Sequence, residues 1–502
     1  MNIPFKNSFL SWMMRKRIHQ IDFFRNNPIQ VQDKVFQSLI ENGKLTNFGA
    51  EHNFREINSY SDFNKNIPLR TYEQLFPYIE RTRKGATDIL WPGEIKMFAK
   101  SSGTTNDRSK YIPISEESLK NCHFKGGRDM LSLYCNNFPD TNIFNGKGLM
   151  LGGSKESNTT FQFTDGDLSA LLIDNFPFWV NMHRVPDLET SLMKDWDKKL
   201  DMICEQALNS NITNITGVPS WMLVLFHRMI ETSGAKNILE IWPNLELFMH
   251  GGVNFGPYIN QFERFIPSEK MNYLEGYNAS EGFFGIQDKS SADGLLLMLD
   301  YGIFFEFIPM SIYKKGSRET IPLKKVQVNI NYAIVISTNG GLWRYLIGDV
   351  IKFTSTEPFR LKITGRTKSY INTFGEELII DNTDTALLET CNFLKCEVKD
   401  YTVAPIFIDD EAGGHQWLIE FESPPSDILL FTTELDKNLK QLNSDYAAKR
   451  SNNLIISMPE IVCLEKGEFY KWLSKNNRLG GQYKIPRLSN NRKIADEILA
   501  FQ

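Results

Sequence analysis

Residues Ser101 to Thr105 form a run of small side chains whose composition suits phosphate binding. Four of the five carry hydroxyl groups, and Gly103 permits backbone angles that are closed to other residues. Such a loop can direct backbone N–H groups and hydroxyls toward one point and hold phosphate oxygens there. Arg108 and Lys110 add positive charge close by. An ordinary polar turn between two strands is the alternative. The run is not a Walker A loop, because the second glycine before the lysine is missing.

Further along the chain, other residues that could contribute to a binding site lie next to apolar runs or glycines. They are His250, Gly252, Tyr277, Ser280, Glu281, Asp349 and Lys484. A lone aspartate such as Asp349 is more often a simple turn residue than a ligand-binding one. The six cysteines form no CxxC pair and show no zinc-ligand spacing, so we expect free thiols in a reducing compartment.

Composition restricts the classes of protein to consider. The 502 residues are 41% hydrophobic and 12% aromatic, which is enough for a large core. A net charge of −4 argues against a nucleic-acid partner. The positive charges at 15–17 follow the first apolar residues, which is the wrong order for a signal peptide. The longest apolar runs fall far short of the ~18 residues that a membrane span needs. We therefore expect a soluble cytoplasmic protein with no membrane partner.

Alternating helices and strands over the first 290 residues predict α/β layers with largely parallel strands. Helical spacing of apolar residues indicates helices at 7–25, 29–42, 187–209 and 220–233. Apolar runs indicate strands at 147–153, 245–249 and 271–274. Ligands collect at the carboxyl ends of parallel strands. The loops that follow Lys100, Met249 and Glu275 are therefore predicted to face one crevice.

After residue 290 the pattern changes to antiparallel strands. Apolar and polar residues alternate over 325–336, which predicts a half-exposed strand, and shorter strands are expected at 342–346, 350–354 and 359–364. A new unit follows, with strands at 398–408 and 415–422 and a helix at 426–448. The predicted fold class is α/β: we expect residues 1–370 to form a large N-terminal domain of α/β layers plus a small β-barrel-like sheet, and residues 371–502 to form a smaller α+β domain.

Taken together, the motifs resemble those of the Gretchen Hagen 3 family of acyl acid-amido synthetases, within the acyl-adenylate-forming superfamily. The resemblance extends over about residues 68 to 487, most of the chain. Each motif alone is weak to moderate, whereas the full set in this order is specific. The motifs are Ser101–Thr105 with Lys110–Pro113, Tyr277–Glu281 with Phe284–Gly285, Arg344–Asp349, Gly365–Arg366 and Gln482–Arg487.

The resemblance implies an ATP-dependent ligase with the acyl-adenylate-forming fold. Its substrates would be a small carboxylic acid and an amine, in this family an amino acid, and the protein would be a monomer or a weak homodimer. A carboxylate reacts poorly with an amine because its leaving group is poor. In an acyl-adenylate the leaving group is AMP, which an amine can displace. The domain from 371 to 502 would be mobile and close over the nucleotide. Two alternatives stay open: transfer to the thiol of coenzyme A, and a catalytically inactive nucleotide-binding relative.

The family's pattern also implies a role for each matching residue. Glu281 would hold Mg²⁺, a hard cation that prefers carboxylate and phosphate oxygens, and Lys484 would bring its ammonium group to the α-phosphate and the acid. These two residues form the implied catalytic set. The implied ATP-binding set is Ser101, Ser102, Gly103, Thr104 and Thr105 at the β- and γ-phosphates, Lys110 and Gly252 beside the nucleotide, Tyr277 at the adenine, Ser280 at the α-phosphate, Asp349 and Arg366 at the ribose, with Glu281 and Lys484.

Two departures from the family's pattern are visible. Leu346 stands where the family usually has an arginine, and 106–108 replaces smaller residues after the first loop. His250 either borders the nucleotide or is structural. For the acid pocket only candidate aromatics are available, and such residues more often belong to a core: Phe161, Phe163, Phe176, Phe178 and Trp179.

Overall fold

The computed structural model divides the chain into two compact units. One comprises Met1–Ser101, Lys110–Gly252 and Glu263–Thr367, and the other comprises Lys368–Gln502 with two short segments. The residues that the structure describes are 6–101, 110–153, 155–158, 163–193, 195–252, 255, 259–290, 292–313, 316–367, 370–371, 373–376, 378–407, 413–451, 455–475 and 487–500.

The α-helices lie mostly in the first unit. They are α1 (Lys6–Arg15), α2 (Ile18–Asn26), α3 (Pro28–Gly43), α4 (Asn47–Glu51), α5 (Tyr60–Asn66), α6 (Tyr72–Arg83), α7 (Glu116–Ser118), α8 (Lys125–Asn137), α9 (Leu168–Asp174), α10 (Phe178–Asn181), α11 (Leu188–Ser191), α12 (Trp196–Leu208), α13 (Pro219–Ser233), α14 (Ile238–Ile241), α15 (Ile259–Phe265), α16 (Met310–Tyr313), α17 (Ile380–Leu394), α18 (Ile428–Leu442), α19 (Ser444–Arg450), α20 (Glu468–Lys475) and α21 (Lys493–Leu499). A π-helical turn, Leu119–Phe124, joins α7 to α8, and short 3₁₀ turns lie at Phe54–Glu56, Ile143–Asn145 and Leu323–Lys325.

The strands are β1 (Met97–Ser101), β2 (Lys110–Ile114), β3 (Lys147–Met150), β4 (Lys155–Asn158), β5 (Phe163–Gly166), β6 (Arg184–Val185), β7 (Ile212–Gly217), β8 (Leu247–Gly251), β9 (Asn272–Ala279), β10 (Gly282–Ile286), β11 (Leu295–Leu297), β12 (Ile303–Pro309), β13 (Ile321–Pro322), β14 (Asn331–Thr338), β15 (Tyr345–Thr356), β16 (Phe359–Arg366), β17 (Tyr370–Ile371), β18 (Leu378–Ile379), β19 (Glu397–Phe407), β20 (Gly413–Ser423) and β21 (Glu460–Leu464).

A twelve-stranded mixed sheet forms the centre of the first unit, in the order β13-β12-β14-β15-β16-β11-β10-β9-β8-β7-β3-β6. Strands β6, β3, β7, β8 and β9 run parallel to one another. From β9 to β13 every pair is antiparallel. A separate four-stranded sheet has the order β2-β1-β5-β4. The predicted α/β class is confirmed, and its parallel and antiparallel parts are one continuous sheet.

Several predicted helices are each interrupted by a residue that starts a new helix. The predicted helix 187–209 is two helices, because the Asp195 side chain accepts a hydrogen bond from Lys198 N and caps α12. The predicted helix 426–448 breaks at Asn443, whose side chain caps α19 in the same way. The predicted helix 7–25 breaks before α2 at Arg17, whose guanidinium forms a buried ion pair with Asp129 and a partly buried one with Asp300.

The alternating segment after residue 325 is not a half-exposed strand. Strand β14 begins only at Asn331, and its residues 332–338 are buried on both faces. Ala333 and Val335 pack in a small apolar cluster with Ile308, while Ile334 and Ile336 belong to the main core. The strands predicted at 342–346 and 350–354 are also a single element, β15. The alternation of apolar and polar residues therefore predicted neither where the strand begins nor its burial, because packing covers both faces of β14.

The second unit contains a three-stranded sheet, β19-β20-β21, and the short hairpin β17-β18. Its core includes Leu418, Phe469, Trp472 and Ile498. All six cysteines of the chain carry free thiols, as predicted. Among the helices described, none has the length and apolar character needed to cross a membrane.

Candidate functional site

Strands β9 and β10 form a hairpin whose turn consists of Ser280 and Glu281. The sequence predicted a loop beginning near residue 276, and this was wrong: β9 continues through Ala279. Tyr277 therefore projects from a strand, and its side chain is buried. Ser280 and Glu281 are half-buried in the turn. The hairpin thus presents one phenol, one hydroxyl and one carboxylate within five consecutive residues.

Tyr277 and Asp349 are joined by a hydrogen bond in which the Tyr277 hydroxyl donates to Asp349 Oδ2. Asp349 is not the turn residue expected from the sequence; it lies within β15 and is 5% exposed. A carboxylate so little exposed needs a hydrogen-bond donor, and Tyr277 supplies one. Two of the sequence-predicted site residues are therefore in direct contact.

A second link joins the hairpin turn to β15. The hydroxyl of the fully buried Tyr345 lies 3.5 Å from Glu281 Oε1. Sequence reasoning placed Tyr345 in a family motif but gave it no role at the site. Its position beside the predicted magnesium ligand makes Tyr345 a member of the site. Its place in the sequence, four residues before Asp349 on an apolar run, was the one available signal.

These links require the sheet to curl. In the sheet order β15-β16-β11-β10-β9, four strand spacings separate Asp349 from Tyr277. At about 4.8 Å per spacing, a flat sheet would place these strands about 19 Å apart, which is too far for the two side chains to meet. Their contact therefore shows that the antiparallel part of the sheet folds back over β9, with the site residues on the enclosed side.

The start of β15 is fixed by a buried ion pair. Arg344 has a positive φ of 43° and is 2% exposed. Its Nε lies 3.0 Å from Glu306 Oε2 and its Nη2 lies 2.9 Å from Glu306 Oε1. It also donates to the carbonyl of Ile67 at 2.6 Å. Arg344, which carries part of the family resemblance, therefore anchors the backbone directly before Tyr345.

Leu346, the departure from the family pattern, lies on the other side of β15. It packs against the small cluster of Ile308, Ala333 and Val335. Successive residues of a strand point to opposite faces, so Leu346 points away from Tyr345. The substitution therefore leaves the contacts of Tyr277, Glu281 and Asp349 intact.

Gly252 follows β8, the parallel neighbour of β9. Gly251 pairs with Gly276 in the register, and an ideal Cβ on Gly251 would lie 2.2 Å from the Gly276 carbonyl oxygen. Gly252 has a φ of 83°, a conformation that favours glycine. This close backbone approach places Gly252 beside the strand that carries Tyr277.

His250 is buried one residue before this glycine pair. Burial lowers its pKa to about 3. The imidazole is therefore neutral at physiological pH and cannot supply a positive charge to a phosphate.

The first loop is described only at its two ends. Ser101 ends β1 and pairs with Lys110, the first residue of β2. The Lys110 ammonium lies 5.8 Å from the centre of the Tyr72 ring, and the Tyr72 hydroxyl accepts a hydrogen bond from Tyr111 N at 2.8 Å. The predicted phosphate-binding residues Ser102, Gly103, Thr104 and Thr105 lie outside the described residues.

Two other predicted residues are described partly or not at all. Arg366 lies in β16 with its backbone paired to Asp349. Lys484 lies outside the described residues.

The aromatics considered for an acid pocket do not form one group. Phe163 is a core residue, with its ring 5.7 Å from that of Phe98. Phe178 and Trp179 are exposed on the short helix α10, at 78% and 57%. Phe161 is outside the described residues. Phe176 is half-buried, with its ring 5.6 Å from that of Phe124.

Glu281 fits the single-carboxylate type of magnesium site. Among the described residues, no three His, Cys, Asp or Glu side chains come together as a metal-binding group. Mg²⁺ needs no such group when a nucleotide is bound, because it takes one or two carboxylates together with phosphate oxygens and water. A half-buried carboxylate at a tight turn satisfies that requirement.

Comparison with known proteins places most of the chain within one set of family profiles. The GH3 family N-terminal domain matches residues 17–271, the central domain 296–366 and the C-terminal domain 381–493. Indole-3-acetic acid-amido synthetase GH3.4 of Arabidopsis thaliana is 24% identical over 94% of this chain and 91% of its own length. Jasmonoyl–L-amino acid synthetase JAR4 of Nicotiana attenuata is 22% identical over 94% of this chain and 92% of its own length.

Solved structures show the same fold. The AtGH3.15 acyl acid amido synthetase in complex with 2,4-DB superposes with a TM-score of 0.62 at 17% identity, covering 97% of this chain and 96% of its own. A 2-hydroxyisobutyryl-CoA ligase superposes with a TM-score of 0.58 at 12% identity, covering 95% of this chain and 93% of its own. At these identities, both superpositions show that the fold is shared.

Proposed function

This chain belongs to the GH3 family, and we propose that it is an acyl acid-amido synthetase that activates a carboxylic acid with ATP. In the first step a carboxylate oxygen attacks the α-phosphorus and pyrophosphate leaves. In the second step the nitrogen of an amino acid attacks the acyl carbon, AMP leaves, and the amine loses a proton. The observation that carries the proposal is the contact between Tyr277 and Asp349, because it brings two separated family motifs together.

Each residue of the site has a proposed task. Tyr277 lies against the adenine, and Asp349 accepts hydrogen bonds from the ribose hydroxyls, with Arg366 close to the same sugar. Ser280 contacts the α-phosphate, while Ser101 to Thr105 and Lys110 hold the terminal phosphates. Gly252 gives the nucleotide room beside β9.

Two residues have tasks at the reacting groups. Glu281 holds Mg²⁺, which neutralises phosphate charge when bound. Lys484 stabilises the charge that develops at the α-phosphorus. Lys484 belongs to the proposed mobile C-terminal domain, 371–502.

Transfer to the thiol of coenzyme A is the second candidate. It is supported by the likeness of the fold to a 2-hydroxyisobutyryl-CoA ligase. The first half-reaction is the same, so only the acceptor distinguishes the two. We further propose a cytoplasmic protein, monomeric or weakly dimeric, without a nucleic-acid or membrane partner.

ATP–pyrophosphate exchange with a panel of aryl and alkyl carboxylic acids tests the first step. We expect exchange that depends on one class of acid. The accepted acid is then incubated with ATP and either amino acids or coenzyme A, and the product mass is measured. An amide product supports the proposal, and a thioester alone would replace it with the second candidate. Exchange with no acid at all would indicate an inactive relative.

A further inference from the structure

The helix that begins at α7 contains an unusual turn opposite the β9–β10 hairpin. Residues Leu119–Phe124 are π-helical, and α8 follows without a break. Such turns are rare and frequently mark functional sites, because the wider turn redirects side chains. In this turn Cys122 and His123 are both buried, at 1% and 3% exposure.

Cys122 contacts strand β10 of the hairpin. The backbone N–H of Phe283 donates a hydrogen bond to Cys122 Sγ at 3.2 Å. A Cβ on Gly126, one helical turn later, would lie 2.3 Å from the Phe283 ring. The absence of a side chain at Gly126 therefore lets the helix backbone approach this ring closely.

His123 contacts strand β9 of the same hairpin. Burial lowers the pKa of His123 to about 4, and a hydrogen-bonding interaction of its ring with the side chain of Asn278 on β9 opposes that shift only in part. The imidazole is therefore neutral at pH 7. Among the described residues, Nδ1 has no hydrogen-bond partner.

The two contacts meet at one point of the hairpin. Phe283 and Asn278 are directly opposite each other in the register. Only the pair Ala279–Gly282 separates them from the turn that carries Ser280 and Glu281. Two consecutive helical residues thus hold both strands of the hairpin directly beneath the proposed magnesium ligand.

We propose that Cys122 and His123 are positioning residues that fix the β9–β10 turn for nucleotide and magnesium binding. The proposal rests on the function proposed above for Ser280 and Glu281. Neither residue reacts with a substrate. Through these two side chains the π-helical segment restricts the position of the hairpin turn that carries Ser280 and Glu281. A displacement of about 1 Å in a reacting group can cost about 10²-fold in rate, so small contacts at this point have a large effect.

Paired variants test this role. Cys122→Ala removes the acceptor for Phe283 N, and Cys122→Ser restores one. His123→Asn replaces the ring with an amide too short to contact Asn278, and His123→Gln places a longer amide that can reach it. Cys135→Ala is the matched control, since Cys135 lies on the following helix, α8, and is as buried as Cys122.

Hydrogen–deuterium exchange of the substrate-free protein gives the first measurement. We expect at least 3-fold faster exchange in peptides covering 272–286 for Cys122→Ala and His123→Asn, with near-wild-type rates for the two restoring variants. Unchanged exchange in both disruptive variants, or an equal increase for Cys135→Ala, would overturn the proposal. If Cys122→Ala fails to fold, His123→Asn against His123→Gln decides alone.

The second measurement is the Mg²⁺ concentration that gives half-maximal ATP–pyrophosphate exchange. It should rise by about 10-fold in the disruptive variants and recover in the restoring ones. A fall in kcat with unchanged magnesium dependence would contradict positioning of Glu281. If the wild-type protein shows no exchange with any acid, the proposed function fails, while the hydrogen-exchange comparison still decides whether the π-helical turn holds the hairpin.

Discussion

The Tyr277 hydroxyl donates a hydrogen bond to the Asp349 carboxylate across a separation of 72 residues. The two strands involved are not neighbours in the sheet, so the bond depends on the curl of the antiparallel part. The second link, from Tyr345 to Glu281, spans the same gap. Together they tie the β9–β10 hairpin to the first half of β15, and the relative positions of the proposed ribose and magnesium ligands follow from these two contacts.

Removing the Tyr277 hydroxyl should weaken ATP binding. A hydrogen bond to a charged group contributes about 1.5–3 kcal/mol, so Tyr277→Phe should raise the KM for ATP by about 10-fold while keeping the ring. Asp349→Ala should have the larger effect. If the two act as a pair, the double variant will show less than the sum of the single effects. The steady-state kinetics of ATP–pyrophosphate exchange are measured for all three variants. Additive effects would show that Tyr277 and Asp349 act independently of each other.

Glu281→Gln should raise the magnesium requirement. The amide keeps the size of the side chain and its contact with Tyr345 but removes the negative charge that Mg²⁺ prefers. Titration of Mg²⁺ in the exchange reaction is the measurement. Glu205→Gln is the control, since Glu205 is exposed on α12. Wild-type magnesium dependence in Glu281→Gln would remove this residue from the metal site.

The sequence indicated which residues to consider at the candidate site, and their roles stay predictions. Tyr277, Glu281 and Asp349 were selected because the motifs that contain them resemble those of the family. Their mutual contact was not predictable, because it depends on the curl of a sheet whose strands are far apart in sequence.

Two surrounding features were missed for related reasons. Arg344 was recognised only as part of a motif, since its partner Glu306 lies 38 residues away among apolar residues. The buried strand β14 was misjudged because alternation reports on one face of a sheet, whereas side chains cover both faces here. Local patterns thus indicated the elements, and the long-range pairings had to come from the structure.

Lys484→Ala should lower the adenylation rate by about 10²–10³-fold, the usual effect of losing one preorganised charge in an active site. The effect should fall on kcat more than on the KM for ATP, because the charge is needed most in the transition state. Lys471→Ala, an exposed lysine on α20, is the control. An unchanged rate in Lys484→Ala would mean that another cation supplies the charge.

Two buried histidines predict loss of stability in mild acid. Burial lowers the pKa of His123 to about 4 and that of His250 to about 3, whereas both titrate near 6.5 in the unfolded chain. Between pH 6.5 and 4 the unfolded state binds protons that the folded state does not. Stability should therefore fall as the pH falls, by up to about 1.4 kcal/mol per pH unit for each histidine.

His123→Gln isolates one of these contributions, since the carboxylates titrate in both proteins. Between pH 7 and 5 the melting temperature of the variant should fall less than that of the wild type. The Tm of the variant minus that of the wild type should therefore increase as the pH falls. Above pH 7 both histidines are neutral in either state, and that difference should stay constant. Differential scanning fluorimetry across pH 5 to 8 measures it. Parallel curves over the whole range would show that the imidazole of His123 is not held neutral by burial.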